Sequence, residues 1–513
     1  MSLIRLFFIT LITFFIAACS QPDYDLLIKN GLIYDGSGSA PEQGHIAVQD
    51  GKIAQFGDFD ITGITASKTV DAAGRAVTPG FVDAHSRGEP LETPRFDNFL
   101  SMGVTTITLG LVGTSPGAED LAGWMQSVDD SGTGPNVIHF TGHSTLRDLS
   151  DTPRSDDVDE SYILEMAGKL MAAMDAGSFG LSLGLEFEPG RFAGEDELVT
   201  LAQVVAERDG ILMGHVRSED DERIDESVRE LMEIGLDADV QTHISHLKIV
   251  FADDPQRADD VLAIIGEARE NGLEVTSDLY PYIASFTTIG LIFPDWANTQ
   301  EEFEEAVETR REELAEYLRN RIEQRNGPEA TLFGTEPWTG MTLAEVAEQL
   351  GKPFEEALID DIGPESGSAA YFVMNEDVMQ RFLIDPYVMV STDGGPEMRH
   401  PRGFGSFAKI IRKYVNELEL LSLEEAIHKM SGLPAETLGL TDESLVETPR
   451  GLIREGFAAG LLIFNPAEIN DPADFENPHT FAEGFDWVFV NGTAVIERVE
   501  RNEALPSGII RRR

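Results

Sequence analysis

The chain of 513 residues contains a single cysteine, Cys19. No intrachain disulfide can brace it, and the body of the protein has no thiol to offer a metal. Basic residues are scarce as well: 38 Lys and Arg stand against 91 Asp and Glu, a formal net charge of −53. Such a surface repels phosphate backbones, which argues against nucleic acid as a partner. The remaining composition, 42% hydrophobic and 25% charged, is that of a globular protein. The length suits one large α/β domain with a smaller one beside it.

The cysteine ends the chain's first apolar run. Arg5 precedes Leu6 to Ala18, which is short for a membrane helix of roughly 20 residues and suits a signal-peptide core. The run closes as Ile16-Ala17-Ala18-Cys19, which resembles a bacterial lipobox. By that resemblance residues 1–19 are a lipoprotein signal peptide and Cys19 is the lipidated first residue of the mature chain. Ser20 then favours the outer membrane of a Gram-negative cell envelope, facing the periplasm. Membrane contact is expected through the lipid anchor alone. An ordinary signal peptide or a retained anchor is the alternative reading.

Residues 20–78 alternate short apolar runs with Asn-Gly, Asp-Gly and Ala-Gly turns, and residues 446–513 carry a matching β pattern. Together they predict a small β-sandwich formed by both chain termini. Between them, in 79–445, eight short apolar runs alternate with helical stretches, the pattern of a parallel (β/α)8 barrel in the α/β class. An insertion is expected at about 293–384, with one acidic helix in TQEEFEEAVETRREELAEYLRNRIEQ. It reads either as a solvated decoration or as a lid over the barrel mouth.

Polar residues fall at the ends of these runs: His85, His143, Glu186, His215, His246, Asp278 and Asp393. Strand interiors exclude such side chains, whereas the C-terminal face of a barrel collects them for chemistry. His215 and His246 end adjacent strands, where two imidazoles can share one zinc ion. Asp393, in STDGG, can ligate the same ion or act as general base and then acid.

Motifs along most of the chain extend this pattern: NGLIYDGSG, PGFVDAH, GLEFEPGRFA, GHVRSE, ISHLK, SDLYPYIAS, STDGG and HPRGFGSFAK. On them the sequence resembles the N-acyl-D-amino-acid deacylase (D-aminoacylase) branch of the amidohydrolase superfamily. The resemblance implies a metal-dependent hydrolase barrel, zinc as cofactor and a small-molecule N-acyl amino acid as substrate. It implies His215 and His246 as ligands of the main zinc, and Asp393 as the catalytic acid/base. Lys248 and Tyr280 resemble substrate-contacting positions, with a surface ion pair as the alternative reading of Lys248. Arg402 is a candidate clamp for the substrate carboxylate or a structural ion pair. His143 is expected to line the pocket.

Two departures stand out. The superfamily's first motif is His-x-His, but here it reads His85-Ser86-Arg87, and a guanidinium cannot ligate a metal. The branch also supplies a cysteine after strand two, where this chain has Val112. One divalent metal is therefore expected, held by His215, His246, Asp393 and His85, with the second position weakened or lost. Glu186, Glu89 and His143 are further candidates for a missing ligand. Two other readings stay open: a shifted substrate (a dipeptide or cyclic amide, read by Arg87 and Glu89), or a binding protein of the envelope without catalysis.

Overall fold

Eight short parallel strands form a barrel in the computed structural model, which describes residues 22–117 and 120–513. They are Phe81–Asp83, Val104–Leu109, Asn136–His139 (continued by Thr141–Gly142), Gly180–Gly184, Ile211–His215, Gln241–Ile244, Val275–Leu279 and Val388–Val390. Each pairs with its neighbour in sequence. The ring closes where Ser86 bridges Gly394 and the Asp393 N–H donates to the His85 carbonyl at 2.8 Å. Most of these strands are buried along their whole length, as strands covered on both faces must be.

Helices cover the outside. In Ile224–Ala238 the residues Ile224, Val228, Leu231, Met232 and Gly235 are buried, one stripe of a 3.6-residue period. In Glu160–Ala176 the Asp159 side chain caps the start, and Gly177, at φ 112°, ends the helix in the left-handed region.

The two chain ends meet in one sheet. Strands Tyr24–Ile33, Glu42–Gln49, Lys52–Gly57, Ala66–Asp71 and Ala76–Pro79 come from the N-terminal side. Leu461–Phe464, Phe485–Val490, Thr493–Glu497 and Glu500–Arg501 come from the C-terminal side. Ala76–Pro79 joins the halves by pairing antiparallel with Leu461–Phe464. Tyr24–Ile33 has two neighbours along one edge, Ala66–Asp71 and Ala76–Pro79, so the sheet splits there over a core of Leu26, Ile28, Ile46, Val77, Leu461 and Phe489. Its hairpins turn at Asp50-Gly51 and Asn491-Gly492, where both central residues have positive φ, the geometry that favours Asn-Gly and Asp-Gly.

The last residues leave the sheet for the floor of the barrel. Val137 N–H donates to Gly508 O at 3.0 Å, and Ile510 N–H donates back to Val137 O at 2.8 Å. Ile510 packs in one apolar cluster with Phe179, Ile211 and Leu438.

Between the seventh and eighth barrel strands lies an added layer. Strands Ser285–Thr288, Thr331–Phe333 and Ser368–Tyr371 make an antiparallel sheet, and helices Gln300–Thr309 and Arg311–Gln324 pack on a core that includes Phe303, Leu314, Leu318 and Ile322. The layer begins at Ser285, ahead of residue 293, because a four-residue strand has too little pattern to declare itself. Helix Glu376–Leu383, inside the expected insertion, packs on barrel helix Gln256–Glu270 instead. The acidic segment forms two helices broken at Arg310, although no Gly or Pro marks the break. Among the described residues no helix is long and apolar enough to cross a membrane. Cys19 and the apolar run before it lie outside the described residues.

Candidate active site

The C-terminal ends of the strands bring three imidazoles together. His215 is the last residue of the fifth strand, and His246 lies two residues beyond the sixth in a left-handed conformation, φ 38°. His215 Nδ1 lies 2.9 Å from His246 Nε2, and His215 Nε2 lies 3.0 Å from Glu186 Oε2. The His85 ring tilts against His246 with centroids 4.8 Å apart. Both nitrogens of His85 are buried without a hydrogen-bond partner, and its Nε2 is 3.4 Å from Asp393 Oδ1. Two overlapping donor groups result, His85–His246–Asp393 and His215–Glu219–His246, each with its ligand atoms within 4.8 Å of one another. A buried imidazole with both nitrogens unsatisfied requires a partner. Imidazole nitrogens and carboxylate oxygens are the donors that zinc accepts, so the residues present fit one divalent cation. Burial, and then the neighbouring Lys248, pull His246 down to about 3, so its ring stays neutral with a lone pair to give.

Asp393 follows the eighth strand, also left-handed at φ 43°. Its Oδ1 accepts from Arg87 Nε at 2.9 Å, and its Oδ2 forms an ion pair with Arg402 Nη2 at 3.0 Å. Burial alone would raise this carboxyl. Arg402, Arg87 and His85 outweigh it and hold Asp393 well below the usual carboxylate range. Arg402 is itself buried, with its guanidinium 4.5 Å from the Tyr280 ring centroid. Lys248 Nζ lies 5.5 Å from the same ring, donates to Glu219 Oε1 at 2.5 Å and sits 2.9 Å from His246 Nδ1. Burial opposes the charge on Glu219, but Lys248 overrides it and keeps the carboxyl low. Lys248, Tyr280, Arg402 and Arg87 thus surround the same cleft as the histidines.

Other expected residues lie elsewhere. His143 opens the helix His143–Leu149 and is fully buried, its Nε2 2.6 Å from Glu197 Oε1, with Arg147 Nε 3.5 Å from the same oxygen. The structure therefore corrects its place: it holds an interior ion cluster and does not line the cleft. Glu89 accepts from Trp124 Nε1 at 3.1 Å, also away from the cleft. Asp278 points into the barrel and accepts from His243 Nε2 at 2.8 Å and from Ser391. Asp83, pushed up to about 8 by burial, accepts from the N–H groups of His85 and Thr392 at 3.1 Å each. These two buried carboxyls brace the strand ends that present His85 and Asp393.

Two lining residues, Glu219 and Arg325, carry no signal in the sequence that marks them, and a third, Val112, stands where the branch has its cysteine. Glu219 stands four residues after His215, a spacing with metal-site character once the strand end is known. Arg325 reaches the cleft from the added layer, with no local motif to announce it. Val112 lines the cleft beside Arg87 at φ 56°, a conformation that β-branched residues rarely tolerate. The inner cleft opens into an outer cavity of about 530 Å³, whose walls include Phe187, Phe286, Leu291 and Met398.

No family model matches the chain. It is 32% identical over 500 residues to the N-acyl-D-aspartate deacylase of Alcaligenes xylosoxydans xylosoxydans, an alignment covering 92% of each chain. Among solved structures, the N-acyl-D-glutamate deacylase of Bordetella bronchiseptica, complexed with zinc and a phosphonate mimic of the tetrahedral intermediate, matches with a TM-score of 0.80 at 29% identity, over 96% of this chain and 100% of that one. A D-aminoacylase, described as having a binuclear metal centre with one-metal activation and second-metal attenuation, matches with a TM-score of 0.81 at 26% identity, over 95% of this chain and all of that one.

Proposed function

This chain belongs to the N-acyl-D-amino-acid deacylase (D-aminoacylase) family of amidohydrolases, and on that footing we propose that it hydrolyses the amide bond of N-acyl-D-amino acids. The observation that carries the reading is the meeting of Asp393 with His85, His215 and His246 at one end of the barrel. His215 and His246, with His85 and Asp393 beside them, would hold one divalent cation, zinc. A bound cation of this kind supplies Lewis acidity to an amide carbonyl and to water. Arg87 already occupies Asp393 Oδ1, so one metal is proposed and not two.

The chain's own residues do the rest. Asp393 is ionised, so it can take a proton from the attacking water and return it to the departing amine nitrogen. Arg87 and Arg402 fix the direction of its two oxygens. Lys248 and Arg402 supply the positive charge that a substrate carboxylate needs, over the face of Tyr280. Phe187, Phe286 and Leu291 line the approach and exclude water from the scissile bond.

Amine release from paired N-acyl-D- and N-acyl-L-amino acids, with a chelator and with added zinc, tests the proposal. Zinc-dependent release from the D series is expected. Release from neither series at any zinc level would move the site to another amide or to a binding role. The proposal extends to the cell: the lipobox-like Ile16 to Cys19 supports lipidation at Cys19 and an outer-membrane position facing the periplasm. Metabolic palmitate labelling should mark the chain and vanish in Cys19→Ser; label persisting in that variant would sink the anchor.

A further inference from the structure

The inner cleft holds about 50 Å³, whereas the outer cavity it opens into holds about 530 Å³, within the range of small-molecule pockets. The two spaces share one end only. Val112, Glu186, Phe187, Phe286 and Leu291 line both, while Lys248, Tyr280 and Arg402 line the inner one alone. A substrate amide is planar and trans, so its amino-acid half and its acyl half point apart from the scissile bond. With the α-carboxylate at Lys248 and Arg402 and the amide at the histidines, the acyl half is left facing the outer cavity. Apolar side chains reach that cavity from separate segments: Val112 and Phe187 follow the second and fourth barrel strands, Phe286 and Leu291 belong to the added layer, and Met398 follows the eighth strand. Among the described residues, each charged group on its walls is already engaged. Arg87 holds Asp393, Glu186 meets His215, Glu188 pairs with Arg191 at 2.6 Å, and Glu365 accepts from the Gln300 N–H at 3.0 Å. Arg191 also pairs with Asp295 at 2.5 Å, which ties the loop after the fourth strand to the added layer. A charged acyl group would find no free counterion here, whereas an apolar one finds surface to bury.

We propose that the outer cavity is an acyl subsite that takes an uncharged, extended apolar chain. The preferred substrate is then an N-acyl-D-amino acid whose acyl group runs well beyond acetyl. The proposal rests on the deacylase reading for its reaction and on the outer cavity for its acyl selectivity. Val112 lines both spaces, so the residue that stands where the branch has its cysteine adds apolar surface where the chain passes. The added layer gains a role as well, since it delivers Phe286 and Leu291 to the same passage.

The test measures kcat/KM of the zinc-loaded full chain on N-acetyl-, N-butyryl-, N-hexanoyl- and N-octanoyl-D-alanine. A fully buried methylene is worth about fourfold, and a cavity open to solvent yields less, so a rise of roughly 10²-fold from acetyl to octanoyl is expected. N-succinyl-D-alanine should stay below N-butyryl-D-alanine, its uncharged match in length. N-acetyl-D-2-aminooctanoate, with its long chain on the amino-acid side, should gain far less over N-acetyl-D-alanine. Met398 lines the outer cavity alone, beyond the reach of an acetyl group. Met398→Glu should therefore cut the octanoyl-to-acetyl ratio by roughly tenfold while the acetyl rate holds. If that variant does not fold, Met398→Ser is read in its place, with a cut of roughly threefold expected. A flat chain-length series would overturn the proposal, as would a succinyl substrate that wins, an equal gain on the amino-acid side, or a ratio unmoved in the folded variant. If no N-acyl amino acid is cleaved, the deacylase reading fails on its own. Thermal shifts by N-acetyl- and N-octanoyl-D-alanine then decide the cavity: a larger octanoyl shift that is lost in Met398→Glu upholds it, and equal shifts refute it.

Discussion

Asp393 is gripped on both oxygens by guanidinium groups, yet it is the group asked to move a proton. The two demands agree if the cations keep it ionised and oriented until water attacks. Asp393→Asn tests this cleanly, because asparagine tolerates the left-handed backbone that this position adopts. Turnover should fall roughly 10³-fold while circular dichroism and bound zinc stay unchanged. Activity within tenfold of the parent would remove Asp393 from the proton path. Arg87 is the second test at this scale. Its side chain reaches Asp393 from the position where the superfamily's second histidine stands. Arg87→His should raise zinc above one per chain, read by elemental analysis of dialysed protein. An unchanged count would show that Val112, and not Arg87, closes the second position. The placement of His215, His246 and Asp393 was legible because a strand end is a local feature of the sequence. His143 ended its own short motif in the same way, but its partner Glu197 lies 54 positions further on, and no local pattern reveals that pairing.

Elements of the barrel declared themselves by alternation, since strands buried on both faces read as apolar runs and their helices as amphipathic ones. The added layer between the seventh and eighth strands was harder to delimit. Its strands are three or four residues long, and its helix break at Arg310 has no turn residue. The final segment was harder still: residues 507–513 read as more of the terminal β unit, but they seal the barrel floor. Deleting them should remove the bonds from Val137 to Gly508 and Ile510 and expose the barrel to water at Ile510. Burial of one such side chain contributes about 2 kcal/mol, so the truncated chain should melt measurably lower while its cleft is untouched. An unchanged melting temperature would mean that the tail is an ornament.

At the scale of the molecule, the buried imidazole His139 links stability to pH. Burial pulls its pKa down from 6.5 to about 4, and the carbonyl of Pro116, 3.1 Å from Nε2, offsets only part of that. A base whose folded value is depressed contributes stability that is present above its unfolded value and lost as pH falls through the folded one. The window is therefore pH 6.5 down to 4, and the loss is up to about 3 kcal/mol. Urea unfolding of the parent and of His139→Asn across that window should converge as pH falls. Curves that remain parallel would show that His139 is neutral bookkeeping for some other group. The net charge of −53 acts alongside, and its self-repulsion is screened by salt without touching the fold.

The sequence by itself determined the barrel, the terminal β unit, the family and which polar residues stand at the strand ends. Each follows from periodicity or from residues a few positions apart. Tertiary structure alone decided who faces whom. Arg87 grips Asp393 across 306 positions, His143 is drawn inside by Glu197, and Arg325 enters the cleft from another layer. The physical reason is common to all three: a charge takes its meaning from its counterion, and a closed barrel brings counterions together from strands that are far apart along the chain.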